Sequence, residues 1–183
     1  MARQGRAPKR LLIVDGYNII NARRSSGAMD SYSLSDAREK LVGDLMDYAG
    51  YSDQRVILVF DAWMSDRTIR TEEARGPVTV VYTQKGEIAD RYIERLCDEL
   101  ANDIELHRLE VRVASSDALE QTIVLGRGAS RMSARELMME MNQLRESGIR
   151  RVIEKPAVRR STIGERLPED VRRKLDEMKK PRE

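Results

Sequence analysis

Arg10-Leu11-Leu12-Ile13-Val14-Asp15-Gly16 sets four consecutive aliphatic residues between a basic lead-in and an acid followed by glycine. A run of this kind reads as a buried strand that ends in a turn. The same grammar recurs along the chain. Val56-Ile57-Leu58-Val59-Phe60 is a second apolar run and again stops at an acid, Asp61. Val78-Thr79-Val80-Val81-Tyr82 and Val111-Arg112-Val113-Ala114 supply a third and a fourth, the last followed by Ser115-Ser116-Asp117.

Helical spacing fills the intervals. Leu34, Ala37, Leu41, Leu45 and Tyr48 recur at three and four, with Ser33 or Ser35 as the cap. Ile88, Ala89, Tyr92, Ile93, Leu96, Leu100 and Ile104 form the apolar side of a long helix. Ser133-Ala134-Arg135-Glu136 is a capping-box pattern that opens a helix through Leu144. Two segments read as loops: Gly16 to about Tyr32, rich in Ser, Gly and Arg, and Ala62 to Gly76, which lacks periodicity. Strands alternating with helices argue for a mainly parallel sheet covered on both faces.

Composition removes several function classes. One cysteine, Cys97, excludes an intramolecular disulfide framework and a multi-cysteine zinc site, and its apolar helical setting reads as an inert buried thiol. One histidine, His107, excludes a two-histidine ribonuclease mechanism, and nothing near it resembles a nucleophile elbow. No stretch approaches the roughly 20 apolar residues that span a bilayer. The run after the basic N-terminus is too short for a signal-peptide core, so a cytoplasmic location is expected. The net charge of +2 conceals an acidic body, with 21 acidic against 13 basic residues over 11–125. The N-terminal ten residues carry four basic groups and no acid, and residues 126–183 carry 16 basic against 10 acidic. Such a chain can hold cations in one place and a polyanion in another, although solvated surface charge gives the same asymmetry.

In a parallel sheet, sites form beyond the carboxyl ends of the strands. Asp15, Asp61 and Asp117 all project toward that edge, and Glu87 and Asp90, three apart at the start of a helix, share one of its faces. Carboxylates gathered so closely raise one another's pKa unless a cation intervenes. Mg²⁺ prefers such oxygen ligands and can activate water for in-line attack on a phosphodiester without a catalytic His, Cys or Ser. Each acid also has a plainer reading. Asp15 and Asp117 suit helix N-caps, Asp117 with Glu120 as a box-like pair, while Glu87 and Asp90 suit a solvated helix face.

Asp15-Gly16-Tyr17-Asn18 directly after a buried strand resembles the opening motif of the NYN domains, a branch of the PIN-like nucleases. Phe60-Asp61-Ala62, Glu87-Ile88-Ala89-Asp90 and Ala114-Ser115-Ser116-Asp117 follow in the expected order. Gly126-Arg127-Gly128-Ala129 and Ser133-Ala134-Arg135-Glu136-Leu137 resemble the YacP-like subfamily in particular. The resemblance implies a three-layer α/β/α PIN-like fold with a mainly parallel central sheet of four to five strands. It implies a Mg²⁺- or Mn²⁺-dependent endoribonuclease acting on RNA, with mRNA at the ribosome as the expected setting. Asp15, Asp90 and Asp117 become the principal metal-site acids, Asp61 and Glu87 supporting ligands or acceptors for water, and Asn18 a group that orients a ligand or phosphate oxygen. The domain is expected over 10–160, between a basic extension (1–9) and a basic tail or helix (161–183).

Arg127, Arg131 and Arg135, spaced by four, are candidates to grip the RNA backbone, against the alternative of salt bridges to Glu136 and Glu140. Arg150, Arg151, Arg159 and Arg160 would add salt-sensitive contacts. Trp63 is a candidate to stack on an unpaired base, or else packs onto the domain. Met132, Met138, Met139 and Met141 read as helix packing. The competing function is a non-catalytic RNA- or ribosome-binding module of the same fold. An aspartyl-phosphate phosphatase would need a second Asp where Tyr17 stands. A dinucleotide site would need a glycine-rich turn after the first strand.

Overall fold

The computed structural model describes residues 9–27, 32–62, 68–115 and 128–154. Within them lie six strands: β1 (Lys9–Asp15), β2 (Arg55–Phe60), β3 (Thr71–Arg75), β4 (Val78–Tyr82), β5 (Leu109–Ala114) and β6 (Ser130–Met132). Four helices accompany them: α1 (Gly16–Ser25), α2 (Leu34–Ser52), α3 (Ala89–Glu105) and α4 (Ala134–Glu154). The chain divides into a unit ending at Gly148 and a second beginning at Ile149, whose described residues continue as helix to Glu154. The sheet, in the first unit, runs β3-β4-β2-β1-β5-β6. All pairings are parallel except β3 with β4.

β1 lies between β2 and β5, with Val14 opposite Leu58 on one side and Ala114 on the other. Alternation then assigns the core. Leu12, Val14, Val56, Leu58 and Phe60 face the layer of α1, α2 and α4, whereas Leu11, Ile13, Val59, Val111 and Val113 face α3. Both faces are covered, as a parallel sheet requires. Each fully buried Leu or Ile contributes about 1.5–3 kcal/mol.

Two of the loops expected from sequence prove to contain regular structure. Gly16–Ser25 is a helix, because Asp15 caps it by accepting the Asn18 N–H at 3.0 Å. Ile19, Ile20 and Arg23 form its buried side; the third of these being an arginine hides the period. Thr71–Arg75 is an edge strand joined to β4 by a two-residue turn in which Gly76 has φ +61°. Its polar sequence suits an edge, where charge blocks further pairing. The short β6 was also unforeseen.

The caps follow the sequence signals. Ser33 Oγ accepts the Asp36 N–H at 3.1 Å to start α2. Ser133 and Glu136 exchange hydrogen bonds of 2.7 and 3.2 Å at the start of α4. Cys97 is fully buried on α3, as expected. Met132 and Met141 are buried and Met138 half-buried, but Met139 is exposed.

Gly16 is required by packing rather than by its own φ. A Cβ there would overlap the ring of Phe60, which is fully buried and wedged between Tyr17 (5.1 Å between centroids) and Tyr82 (5.7 Å). Gly16→Ala should therefore cost about 1–3 kcal/mol, read as a lower urea midpoint. Phe60→Leu in the same chain should recover part of that loss, and strict additivity of the two substitutions would contradict the clash.

Candidate active site

The return from β4 to β5 crosses β2 and β1, so the chain reverses direction beside β1, and the crevice at that point is where α/β sheets hold ligands. Asp15 closes β1 there. By strand alternation it belongs to the side of Leu11 and Ile13, and Asp61, two residues beyond Val59, follows the same parity. That is the side covered by α3, whose first turn carries Asp90. Three acids from β1, the end of β2 and the start of α3 thus converge.

Their electrostatics show the convergence. Asp15 is only 9% exposed. Burial pushes its pKa up to about 6, the Asn18 N–H opposes the shift, and the charges of Asp90 and Asp61 add to it. Asp61 is raised as well, by burial first and by Asp90, against the Ala89 N–H that it accepts. That bond caps α3 from 28 residues away, because Ile88 at the N-cap makes no side-chain cap of its own.

Glu87 stands apart from this trio. α3 starts at Ala89, so Glu87 precedes the helix and does not share a helical face with Asp90. Arg70 binds its carboxylate in a fork, Nη2 donating to Oε1 at 2.7 Å and Nε to Oε2 at 3.3 Å, and Arg95 reaches Oε1 at 2.6 Å. Burial alone would raise the Glu87 pKa, but bonds from Arg95 and Arg70 outweigh it and hold the group below the ordinary glutamate range. Both guanidiniums also lie against the Tyr92 ring, 4.7 and 5.5 Å from its centroid. Ile88, expected on the apolar side of the helix, is 51% exposed.

Asp117, Trp63 and Arg127 lie outside the described residues. Arg131 is on β6 and Arg135 in the first turn of α4, both exposed, so their spacing of four does not make one helix face. Of their expected partners, Glu140 is held by Arg112 at 3.0 Å and by the Tyr48 hydroxyl at 2.6 Å. Glu136 is bound by Ser133, which holds its pKa down, with Arg131 adding to the effect. Arg159 and Arg160 also fall outside the described residues, as do the side chains of Arg150 and Arg151.

Sequence reasoning passed over Thr83. It is fully buried beyond β4; its Oγ1 accepts the Ala62 N–H at 3.0 Å and donates to the Glu87 carbonyl at 2.7 Å. One hydroxyl therefore fixes the backbone next to Asp61 and the approach to α3. Arg70 and Arg95 were passed over too. The one available signal was a threonine directly after an apolar strand.

Among the described residues, no three Asp, Glu, His or Cys side chains form a group that could hold a metal ion. The donor chemistry nevertheless fits a hard divalent cation. All the donors are carboxylate oxygens, and burial, with the charges of Asp90 and Asp61 added to it, already lifts the Asp15 pKa to about 6.

The molecule is an α/β protein of PIN-like fold with acids gathered at the switch point of its sheet. The chain matches the YacP-like NYN domain over residues 12–180 and belongs to that family, which is of nuclease type. It is 36% identical over 151 residues to the uncharacterized protein YacP of Bacillus subtilis (strain 168), covering 80% of this chain and 86% of that protein. The crystal structure of a tryptophan-to-leucine mutant of Rae1 (YacP) from Bacillus subtilis matches with a TM-score of 0.64 at 34% identity, over 92% of this chain and 99% of that one. A second Rae1 (YacP) crystal structure from Bacillus subtilis gives 0.63 at 34% identity, over 79% and 80%.

A raised carboxyl pKa penalises the folded state once the group ionises. Without divalent cations, stability should therefore fall as pH rises from the unfolded value of 3.8 through about 6. Asp15→Asn keeps an N-cap acceptor and removes the charge. It should flatten that slope, raise stability at pH 7 by up to about 2–3 kcal/mol, and abolish any stabilisation by Mn²⁺. Differential scanning fluorimetry across pH, with and without Mn²⁺, checks both; an unchanged slope in the variant contradicts the assignment. Thr83→Val should cost about 1–3 kcal/mol in urea unfolding by leaving the Ala62 N–H and the Glu87 carbonyl without this partner.

Proposed function

We propose that this chain is a divalent-metal-dependent endoribonuclease that hydrolyses RNA phosphodiester bonds at the carboxyl edge of its sheet. The observation that carries the reading is the meeting of Asp15, Asp61 and Asp90 from three separate elements, close enough for Asp90 to raise the pKa of both the others. Membership of a nuclease-type family supports it. Mg²⁺ or Mn²⁺, when bound, supplies Lewis acidity that activates water and stabilises the leaving oxygen.

The chain's own residues do the rest. Asp15 and Asp90, with Asp117, hold the cation. Asp61 ties α3 to the end of β2 through the Ala89 N–H, which keeps Asp90 facing Asp15. Asn18, at the start of α1, orients a ligand or phosphate oxygen. Glu87 has its charge engaged by Arg70 and Arg95, so in this reading it supports the rim of the site. Arg131 and Arg135, with Arg127, contact the RNA backbone, a sequence-independent and salt-sensitive interaction.

Purified protein incubated with a long unstructured RNA should cleave it internally with Mn²⁺ or Mg²⁺ and stop when a chelator is added. Asp15→Asn and Asp90→Asn should each slow cleavage by at least about 100-fold. Equal cleavage by both variants and the parent, or cleavage that survives the chelator, rejects the proposal. RNA binding without cleavage would assign the fold to a binding module instead.

A further inference from the structure

The layer formed by α1, α2 and α4 carries a pocket of about 240 Å³, open to solvent on one side, that the carboxylate site does not use. Arg23 of α1 lines it, and its side chain is only 9% exposed. Nη1 of Arg23 donates to Asp44 Oδ2 at 2.7 Å, and Nη2 approaches the Met141 sulfur at 3.7 Å, a weak acceptor. A guanidinium carries five N–H donors, so three have no acceptor among the described residues. Donors of a charged group this buried seldom go unsatisfied, so these three turn to water in the pocket or to an anion seated there.

The remaining lining states what would satisfy them. Tyr48 and Met141 offer apolar surface, while Lys40 and Arg145 add cations. Against these three basic residues the cavity sets Asp44 and Asp47, leaving an excess of one positive charge. The space falls below the roughly 300–1,000 Å³ of drug-sized sites, which limits an occupant to one anionic group on a single ring or short chain.

We propose that this cavity binds a small organic anion, its carboxylate or phosphate oxygens on the buried Arg23 guanidinium and its apolar part against Tyr48 and Met141. Arginine forks match the planar oxygen pairs of such groups. The site is separate from the proposed catalytic acids and does not depend on the nuclease reading.

Isothermal titration of the full chain, in a buffer free of other oxyanions, uses sodium benzoate as the carboxylate probe and inorganic phosphate as the phosphate probe. Saturable one-to-one binding of either is expected, and which one binds identifies the anionic group. Arg23→Gln should weaken it by about tenfold or more. Because that change also leaves Asp44 with only Lys40, at 3.7 Å, as an ion-pair partner among the described residues, a second variant protects the test. Asn142→Trp, at an exposed position on the cavity lining, fills the space while leaving the Arg23–Asp44 pair in place. It should keep the parent's melting temperature and lose binding. The proposal is overturned if neither probe binds saturably, or if Asn142→Trp binds as the parent does.

Discussion

A carboxylate at the end of the central strand has neighbouring strands on both sides and a helical layer on each face, and so it cannot be fully hydrated. Asp15 occupies that place, and the edge of the sheet is organised around its charge. Part of the cost is offset by the backbone: Asp15 accepts an N–H at the start of α1, and Asp61 accepts one at the start of α3. Helix N-termini favour negative charge, so each cap holds its acid ionised more readily than burial alone would allow. The compensation is incomplete for Asp15, whose pKa still lies near 6. From sequence, capping and metal binding look like rival roles for an acid after a strand. Here the cap fixes where the charge stands, so the hydrogen bond that starts α1 also sets the position of the acid in the proposed metal site.

Glu87 follows the opposite course. It lies one turn of chain from Asp90, yet its charge is taken up by Arg70 and Arg95. What separates the two acids is the starting point of α3. Asp61 sets that start at Ala89 and Thr83 fixes the backbone before it, which leaves Glu87 outside the helix and turned toward Arg70. An acid's neighbours in space, set here by two hydrogen bonds from other elements, decide whether it repels or is neutralised.

Much of this was legible in the chain. Each parallel strand buried on both faces wrote itself as an apolar run, which gave β1, β2, β4 and β5 and hence the edge at which Asp15 and Asp61 stand. Ser33 and Ser133 marked their helices because capping uses adjacent residues. Other features depended on partners distant in sequence. Thr71–Arg75 has no apolar period, since an edge strand packs little, and only Gly76-Pro77 announced its turn. α1 was obscured because Gly16, Tyr17 and Asn18 are poor helix formers and a buried arginine fills one of its core positions. Thr83 carried almost no signal, because its importance lies in bonds to Ala62 and Glu87 across a loop.

Asp15 and Arg23 are the two charged residues found buried among the described residues, and both belong to α1, one as its N-cap and one in its last turn. The signs suit the helix dipole, negative at the start and positive near the end. Ten residues of modest propensity would not form a helix alone. What holds α1 is Ile19 and Ile20 in the core, the absence of a side chain at Gly16 that lets Phe60 close against it, and the partners found at each end. Asp15 meets other acids and Arg23 meets one carboxylate and a thioether, so each terminal charge is only partly matched by protein. The two charges stand about 12 Å apart along the backbone of one short helix.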